Sequence, residues 1–411
     1  MITLNPYTVY GKPGMLVAII FAIYTLINRI NKNYIRDFIE PVLLLLLLAA
    51  FGALSSVMND IPQINHPLAV ISLLIIILSA KGIFLYCKKI DMSLDDFLLL
   101  ILLVVILNSI IILLEIQFDP LRQFIEGYLE PLADGSINYA EGYRLRGVAS
   151  SGGAGLSISI PAALIIALYL FDRGKLNTVF LLILLFVLLT SVVVIGRSGI
   201  VLLMIPATTY PALWLSKRNG LHSAFKAFFF LFLLILIVPF FYQFTSDFFS
   251  EMFGEEFVKY AFGFLFGDAD SIQEEGTVGM IAEFLTVLPF DFPQALTGYG
   301  FYGGSDFYPW TDSGYSRTFL SVGFLSGFLF YIILFKMYFL QFNSNKFLIG
   351  SFILLLAIAE TKEPLLYSGV ASRMFILLLV YCYCGKIPTE KPRLFQENNL
   401  KDAQSARSFG R

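Results

Sequence analysis

The sequence has few of the side chains that bind transition metals, and little charge. Two histidines, three cysteines and two tryptophans are spread over 411 residues, and only 14% of the chain is Asp, Glu, Lys or Arg. No closely spaced group of His, Cys and carboxylates offers a transition-metal site, so neither a metal nor another cofactor is expected. Cys87, Cys382 and Cys384 all fall near the ends of apolar runs assigned to the cytoplasmic side, where disulfides do not persist. A P-loop, a Gly-x-Ser-x-Gly turn and a basic stripe are missing, which leaves no basis for a nucleotide-binding, hydrolase or nucleic-acid function.

What the chain has instead is apolar length. It is 57% hydrophobic with a mean hydropathy of +0.78, too apolar for a water-soluble globule. Apolar runs of about 20 residues separated by short polar joints predict helices, which satisfy their own backbone groups in lipid. A β-barrel would show short alternating strands. The expected fold class is an all-α polytopic membrane protein with about eleven transmembrane helices between residues 14 and 385, including stretches at 198–215 and 223–245. The first run, Met15 to Ile27, is followed by Arg29, Lys32 and Arg36 rather than by a small-residue cleavage site, so it reads as a retained helix.

The joints alternate in charge. Arg29/Lys32/Arg36, Lys88/Lys89, Arg173/Lys175, Lys217/Arg218/Lys226, Lys336/Lys346 and the residues after Gly385 are basic, and the joints between them, apart from the turn at Gly196 with its Arg197, are acidic or uncharged. Basic joints face the cytoplasm, which puts the N-terminus outside. Residues 1–385 form one membrane domain and 386–411 a short polar cytoplasmic tail. No internal repeat of the kind that builds paired transporter halves is visible. Two outer segments exceed simple connections. In 117–150, Leu121, Phe124, Ile125, Tyr128 and Leu129 form a helical stripe, predicting an amphipathic helix on the membrane surface. The large loop 246–315 is acidic, with Lys259 its one lysine, and closes in a Gly- and aromatic-rich stretch from Gly298 to Tyr315.

On this topology several arginines stand at the outer face, where basic residues should be scarce. Arg144 and Arg146 precede the small-residue stretch Ser150-Ser-Gly-Gly-Ala-Gly155, and Arg197 interrupts an apolar stretch as Gly196-Arg-Ser-Gly199. An arginine near lipid costs about 2.5–3.5 kcal/mol on insertion scales unless it finds water or a partner. Arg317 opens a span just after Asp312, with an Asp312–Arg317 ion pair as the plain alternative; Arg373 and Lys362 are further cations nearby. For Arg144 and Arg146 the plain alternative is interfacial snorkelling. Tyr299 and Tyr315 offer flat faces for sugar rings, or for belt packing at the bilayer boundary. His66 and His222 are expected on the surface and in a cytoplasmic joint.

Three stretches, Arg144-Leu-Arg-Gly147, Ile195-Gly-Arg-Ser-Gly199 and Gly298-Tyr-Gly300 through Asp312-Ser-Gly-Tyr-Ser-Arg317, lie in order on one predicted face. Together they resemble the bacterial O-antigen polymerases of the Wzy type and their relatives, the O-antigen ligases and the capsule and exopolysaccharide polymerases. The resemblance implies a GT-C-like fold in the bacterial inner membrane, with its site facing the periplasm. It implies undecaprenyl-diphosphate-linked glycans as donor and acceptor, membrane lipids and a chain-length regulator protein as partners, and no nucleic acid. Arg144, Arg146, Arg197, Arg317 and Arg373 with Tyr299 and Tyr315 would bind the diphosphate and glycan. Arg197 and Arg317 would assist metal-independent, inverting transfer, and Asp306 or Asp312 would be the base. The large loop lacks the histidine associated with ligases, and the Pro-Asn common after the first arginine motif is replaced by Ser151-Gly152-Gly153. The missing histidine favours a polymerase over a ligase; a flippase for lipid-linked glycans is the rival from another class.

Overall fold

A computed structural model describes all residues except 1–2, 5, 7, 9–11, 29, 62, 130–144, 150–152, 217–242, 244–249, 252–284, 303–310 and 387–411. Among the described residues the regular structure is helical, apart from one antiparallel bridge between Thr8 and Leu129. In chain order the helices are α1 (Pro13–Ile27), α2 (Lys32–Met58, with a π-helical turn at Ile35–Ile39), α3 (Asn65–Lys89), α4 (Leu94–Gln117) and α5 (Asp119–Tyr128). There follow α6 (Gly153–Asp172), α7 (Thr178–Ile195), α8 (Arg197–Leu202), α9 (Met204–Ser216), α10 (Gln294–Thr297), α11 (Gly314–Phe339), α12 (Lys346–Ala359) and α13 (Val370–Lys386).

Six of these, α2, α3, α4, α6, α7 and the stretch built on α11, are long and apolar enough to cross a membrane. The helices α1 and α12 are apolar but shorter. The expected span at 198–215 is divided into α8 and α9 at Leu203, and the one at 223–245 lies outside the described residues. Leu47, Leu182, Leu325 and Ile332 are each more than half exposed, and apolar rows of this extent need lipid against them. The chain is a membrane-embedded helical protein.

Local signals set the helix starts. Ser93 and Asp96 form a reciprocal capping box at α4, with Asp96 N donating to Ser93 Oγ at 3.2 Å and Ser93 N to Asp96 Oδ2 at 3.2 Å. Asn177 and Asn345 cap α7 and α12 in the same sense. Replacing Ser93 by Ala is expected to cost about 1 kcal/mol, read as a lower thermal midpoint in detergent; an unchanged midpoint would show that the cap contributes nothing.

Small residues let the helices approach closely. A Cβ built on Gly82 of α3 would stand 2.3 Å from Phe21 O of α1, and beside it Thr25 Oγ1 donates to Leu78 O at 2.7 Å. The helices α6 and α13 lie at the centre, buried along almost their whole length. Joints rich in Lys and Arg share one end of the bundle, where Arg173 Nε meets Asp95 at 3.0 Å and Tyr383 OH donates to Asp37 at 2.6 Å. The opposite end, the acidic end, brings the start of α11 against the turn 360–369 and the start of α3 against α11, and the start of α8 against that of α6.

Candidate functional site

The acidic end is organised by a broken helix. At Gly323 (φ 78°, ψ 174°) α11 leaves helical geometry and falls into two halves. The break frees the Leu320 carbonyl, which accepts from Tyr299 N at 2.6 Å and Gly300 N at 3.2 Å. The segment 298–300 thereby supplies the donors that lipid cannot. Ser55 Oγ donates to Gly298 O at 2.9 Å and Asn59 Nδ2 to Tyr299 O at 3.2 Å, tying the same segment to the end of α2.

Arg317 occupies the first turn of α11. Its Nε donates to Thr311 O at 2.8 Å and its Nη2 to Asp312 Oδ1 at 2.9 Å, so the ion pair foreseen as the plain alternative is formed. Its guanidinium folds over the residues leading into the helix, with side-chain exposures of 18% for Arg317 and 31% for Asp312. Tyr315 is taken up by packing, with its hydroxyl on Ala357 O at 2.9 Å and its ring 4.9 Å from Tyr331. Tyr299 is partly exposed.

Behind Arg317 lies a buried polar group absent from the expected site. Glu360, first residue of the turn joining α12 to α13, is 0% exposed. Its Oε2 accepts from Leu366 N at 2.6 Å, its Oε1 from Tyr331 OH at 2.9 Å, and its backbone carbonyl from Gly314 N at 2.9 Å. Burial pushes its carboxyl up to about 7, against the opposing pull of the Leu366 amide, the Tyr331 hydroxyl and Arg317. Next to it Tyr302 OH bonds Tyr367 OH, and the Tyr302 ring stacks on His66 at 4.3 Å with planes 5° apart. His66 is 1% exposed and its Nδ1 meets Ser321 Oγ at 3.2 Å, which corrects the expectation of a surface histidine. Because α3 begins at Asn65, His66 falls in its first turn on the inward face.

The other arginines have their own settings. Arg146, expected at the outer face, is only 2% exposed. It sits in the loop 145–149, held by Asn108 of α4, whose Nδ2 donates to Arg146 O at 3.3 Å and whose Oδ1 accepts from Val148 N at 2.9 Å. Gly147 (φ 56°) makes the turn, and a Cβ there would stand 2.6 Å from Asn108 Oδ1. Arg197 is the first residue of α8 and partly exposed. The adjoining Gly196 lies against Gly153, a built Cβ standing 3.3 Å from the Gly153 carbonyl carbon, so the Arg197 turn abuts the start of α6. Arg373 reaches from the first turn of α13 to Thr3 O at 3.5 Å. Arg144 and Asp306 lie outside the described residues.

The structure therefore unites Asp312, Tyr315 and Arg317 with Glu360, and sets the Arg197 turn beside Gly153. Arg146 and Arg373 are placed by Asn108 and Thr3. The stripe on α5 is divided: Ile125 and Leu129 are buried, whereas Phe124 and Tyr128 are 72% and 49% exposed. Asn108 and Glu115, both buried polar residues inside α4, carried a usable signal, since seven residues is close to two helical turns and places them on one face. Comparison with family models, with curated proteins and with solved structures finds no match to this chain.

Proposed function

We propose that the chain polymerises undecaprenyl-diphosphate-linked repeat units into O-antigen, capsule or exopolysaccharide at the periplasmic face of the bacterial inner membrane, on a GT-C-like bundle of about eleven spans. The observation that carries this reading is that Arg317 stands in the first turn of the apolar helix α11, with Arg197 in the turn that abuts the start of α6. A helix N-terminus is already positive, so a cation placed there is unfavourable on its own and becomes favourable when an anion joins it. Asp312 supplies one negative charge to Arg317; a lipid diphosphate would supply more.

In the reaction, an acceptor sugar hydroxyl attacks the anomeric carbon of the donor with inversion. The bond from that carbon to the diphosphate oxygen breaks, and undecaprenyl diphosphate leaves with the electron pair. Guanidinium donors aimed at that oxygen stabilise the charge as it develops. Each charge-assisted hydrogen bond contributes about 1.5–3 kcal/mol, so losing one lowers the rate on the order of tenfold to a hundredfold.

The test is the purified protein in vesicles loaded with lipid-linked repeats. Elongated glycans are the expected product; transfer only to a lipid A core acceptor would mark a ligase, and translocation without elongation a flippase. In a strain lacking its own polymerase, Arg197→Ala should leave single-repeat glycans at normal protein level, and ladders of ordinary length would reject its role.

A further inference from the structure

The Glu360 carboxyl is enclosed directly against the start of α11. A Cβ built on Gly314, the first residue of that helix, would stand 2.4 Å from Glu360 Oε1. Among the described residues Glu360 forms no ion pair; its oxygens take the Leu366 amide on Oε2 and the Tyr331 hydroxyl on Oε1. An ionised carboxylate enclosed in this way is costly, and holding a proton relieves the cost.

The Tyr331 hydroxyl can serve either protonation state. It carries one proton and stands among three oxygens, Glu360 Oε1 at 2.9 Å, Gly314 O at 3.1 Å and Thr318 Oγ1 at 3.0 Å. With Glu360 ionised, that proton points at the carboxylate. With Glu360 protonated, the carboxyl donates to Tyr331 and Tyr331 donates to Gly314 O. Only hydrogens move between the two arrangements.

The proton has an electrostatic consequence at Arg317, one helical turn after Gly314. Arg317 is the cation that faces Glu360, and the other titratable groups that do so are Tyr302, Tyr315, Tyr331, Tyr338 and Tyr367, phenols of a kind that ordinarily hold their proton below about pH 10. His66 stands behind Tyr302, and Lys362 and Glu363, of opposite sign, are half-buried on the same turn as Glu360. Asp312 already supplies one negative charge to Arg317. An ionised Glu360 adds a second, which an arriving anion must overcome.

We propose that Glu360 governs how tightly Arg317 holds a diphosphate: the protonated carboxyl admits the anion, the ionised one opposes it, and binding takes up a proton from water. This deepens the reading of Arg317 as a diphosphate ligand and rests on it. Burial holds the free carboxyl up to about 7, so affinity is highest below that pH and falls as pH rises through it; by reciprocity the bound anion raises the carboxyl further.

The experiment measures equilibrium binding of undecaprenyl diphosphate to the full-length protein in detergent, from about pH 5.5 to pH 9, for wild type and Glu360→Gln at matched amounts of folded protein. The titration of the ligand is common to both, so the ratio of their affinities isolates the protein. The two should bind alike at the acid end, with wild type weaker by about fivefold or more at the alkaline end. A ratio that stays constant with pH overturns the proposal, because a packing role gives that result. Arg317→Gln in both backgrounds should erase the pH-dependent difference; its survival would likewise overturn the proposal, by showing that Glu360 acts on another group. Should Glu360→Gln fail to accumulate, Tyr331→Phe decides alone: the ionised carboxylate loses its hydroxyl donor, so the loss of affinity sets in at higher pH than in wild type, and an unshifted profile refutes the assignment. A wild type that binds undecaprenyl diphosphate no better than undecaprenol at any pH sinks the diphosphate reading itself, and this proposal with it.

Discussion

Gly300→Ala is expected to destroy the folded protein or leave it severely destabilised. The new methyl carbon would stand 1.9 Å from Ser56 N, 2.3 Å from Ser56 Cα and 2.6 Å from Ser55 C. All three are backbone atoms of α2 and cannot rotate away. Gly300 also holds φ 84°, a region in which an L side chain costs about 1–2 kcal/mol. Overpacking adds about 1–3 kcal/mol, and the sum of about 2–5 kcal/mol is a large part of the 5–15 kcal/mol that holds a typical fold. The damage would spread, because withdrawing the 298–300 segment removes the donors to Leu320 O and reopens the break in α11. Gly127→Ala is the matched control: among the described residues nothing lies within 4 Å of its Cβ position, and inside a helix Ala is favoured over Gly by about 1 kcal/mol. Thermal melting in detergent, followed by the monodisperse fraction on size exclusion, should show Gly300→Ala far below wild type and Gly127→Ala at or above it. Equal midpoints for wild type and Gly300→Ala would mean that the segment does not sit against α2.

The second large effect concerns Glu360 and pH. Its folded-state carboxyl is raised by burial from the ordinary 4.5 to about 7. A raised carboxyl means that the folded state holds its proton after the unfolded chain has released one. The stability from this site is therefore fully present below about pH 4.5 and declines as pH rises through about 7. At about 1.4 kcal/mol per pKa unit, the span amounts to roughly 3 kcal/mol. Glu360→Gln keeps the shape and has nothing to titrate, so its midpoint should gain on wild type steadily between pH 5 and pH 8. A wild-type to Gln difference that stays constant across that range would refute the buried, proton-holding carboxyl. Glu360→Ala removes the acceptor from Leu366 N, while Tyr331 OH keeps Gly314 O at 3.1 Å, and it is expected to be destabilising at every pH, because a buried donor left unpaired costs about 1–3 kcal/mol.

Arg317 shows what a linear pattern conveys and what it does not. Its place at the mouth of an apolar run, five residues after Asp312, was visible, and so was the ion pair. Invisible were the turn from α12 to α13 that brings Glu360 behind it, and the pairing of Tyr302 with Tyr367, which bridges 65 residues of sequence. His66 misled for the same cause: a histidine beside a proline in a polar joint looks exposed until the helix start at Asn65 turns it onto Tyr302.

Composition and hydropathy by themselves determined that this is a helical, membrane-embedded chain. In lipid each helix must satisfy its own backbone, so the information is local and reads off residue by residue. Only the tertiary structure decided which polar side chains are enclosed together, Glu115 with Arg146 and Glu360 with Arg317. That depends on how separate helices cross and on where a glycine allows two backbones to touch. Such meetings are set by shape across long stretches of chain, which hydropathy does not encode.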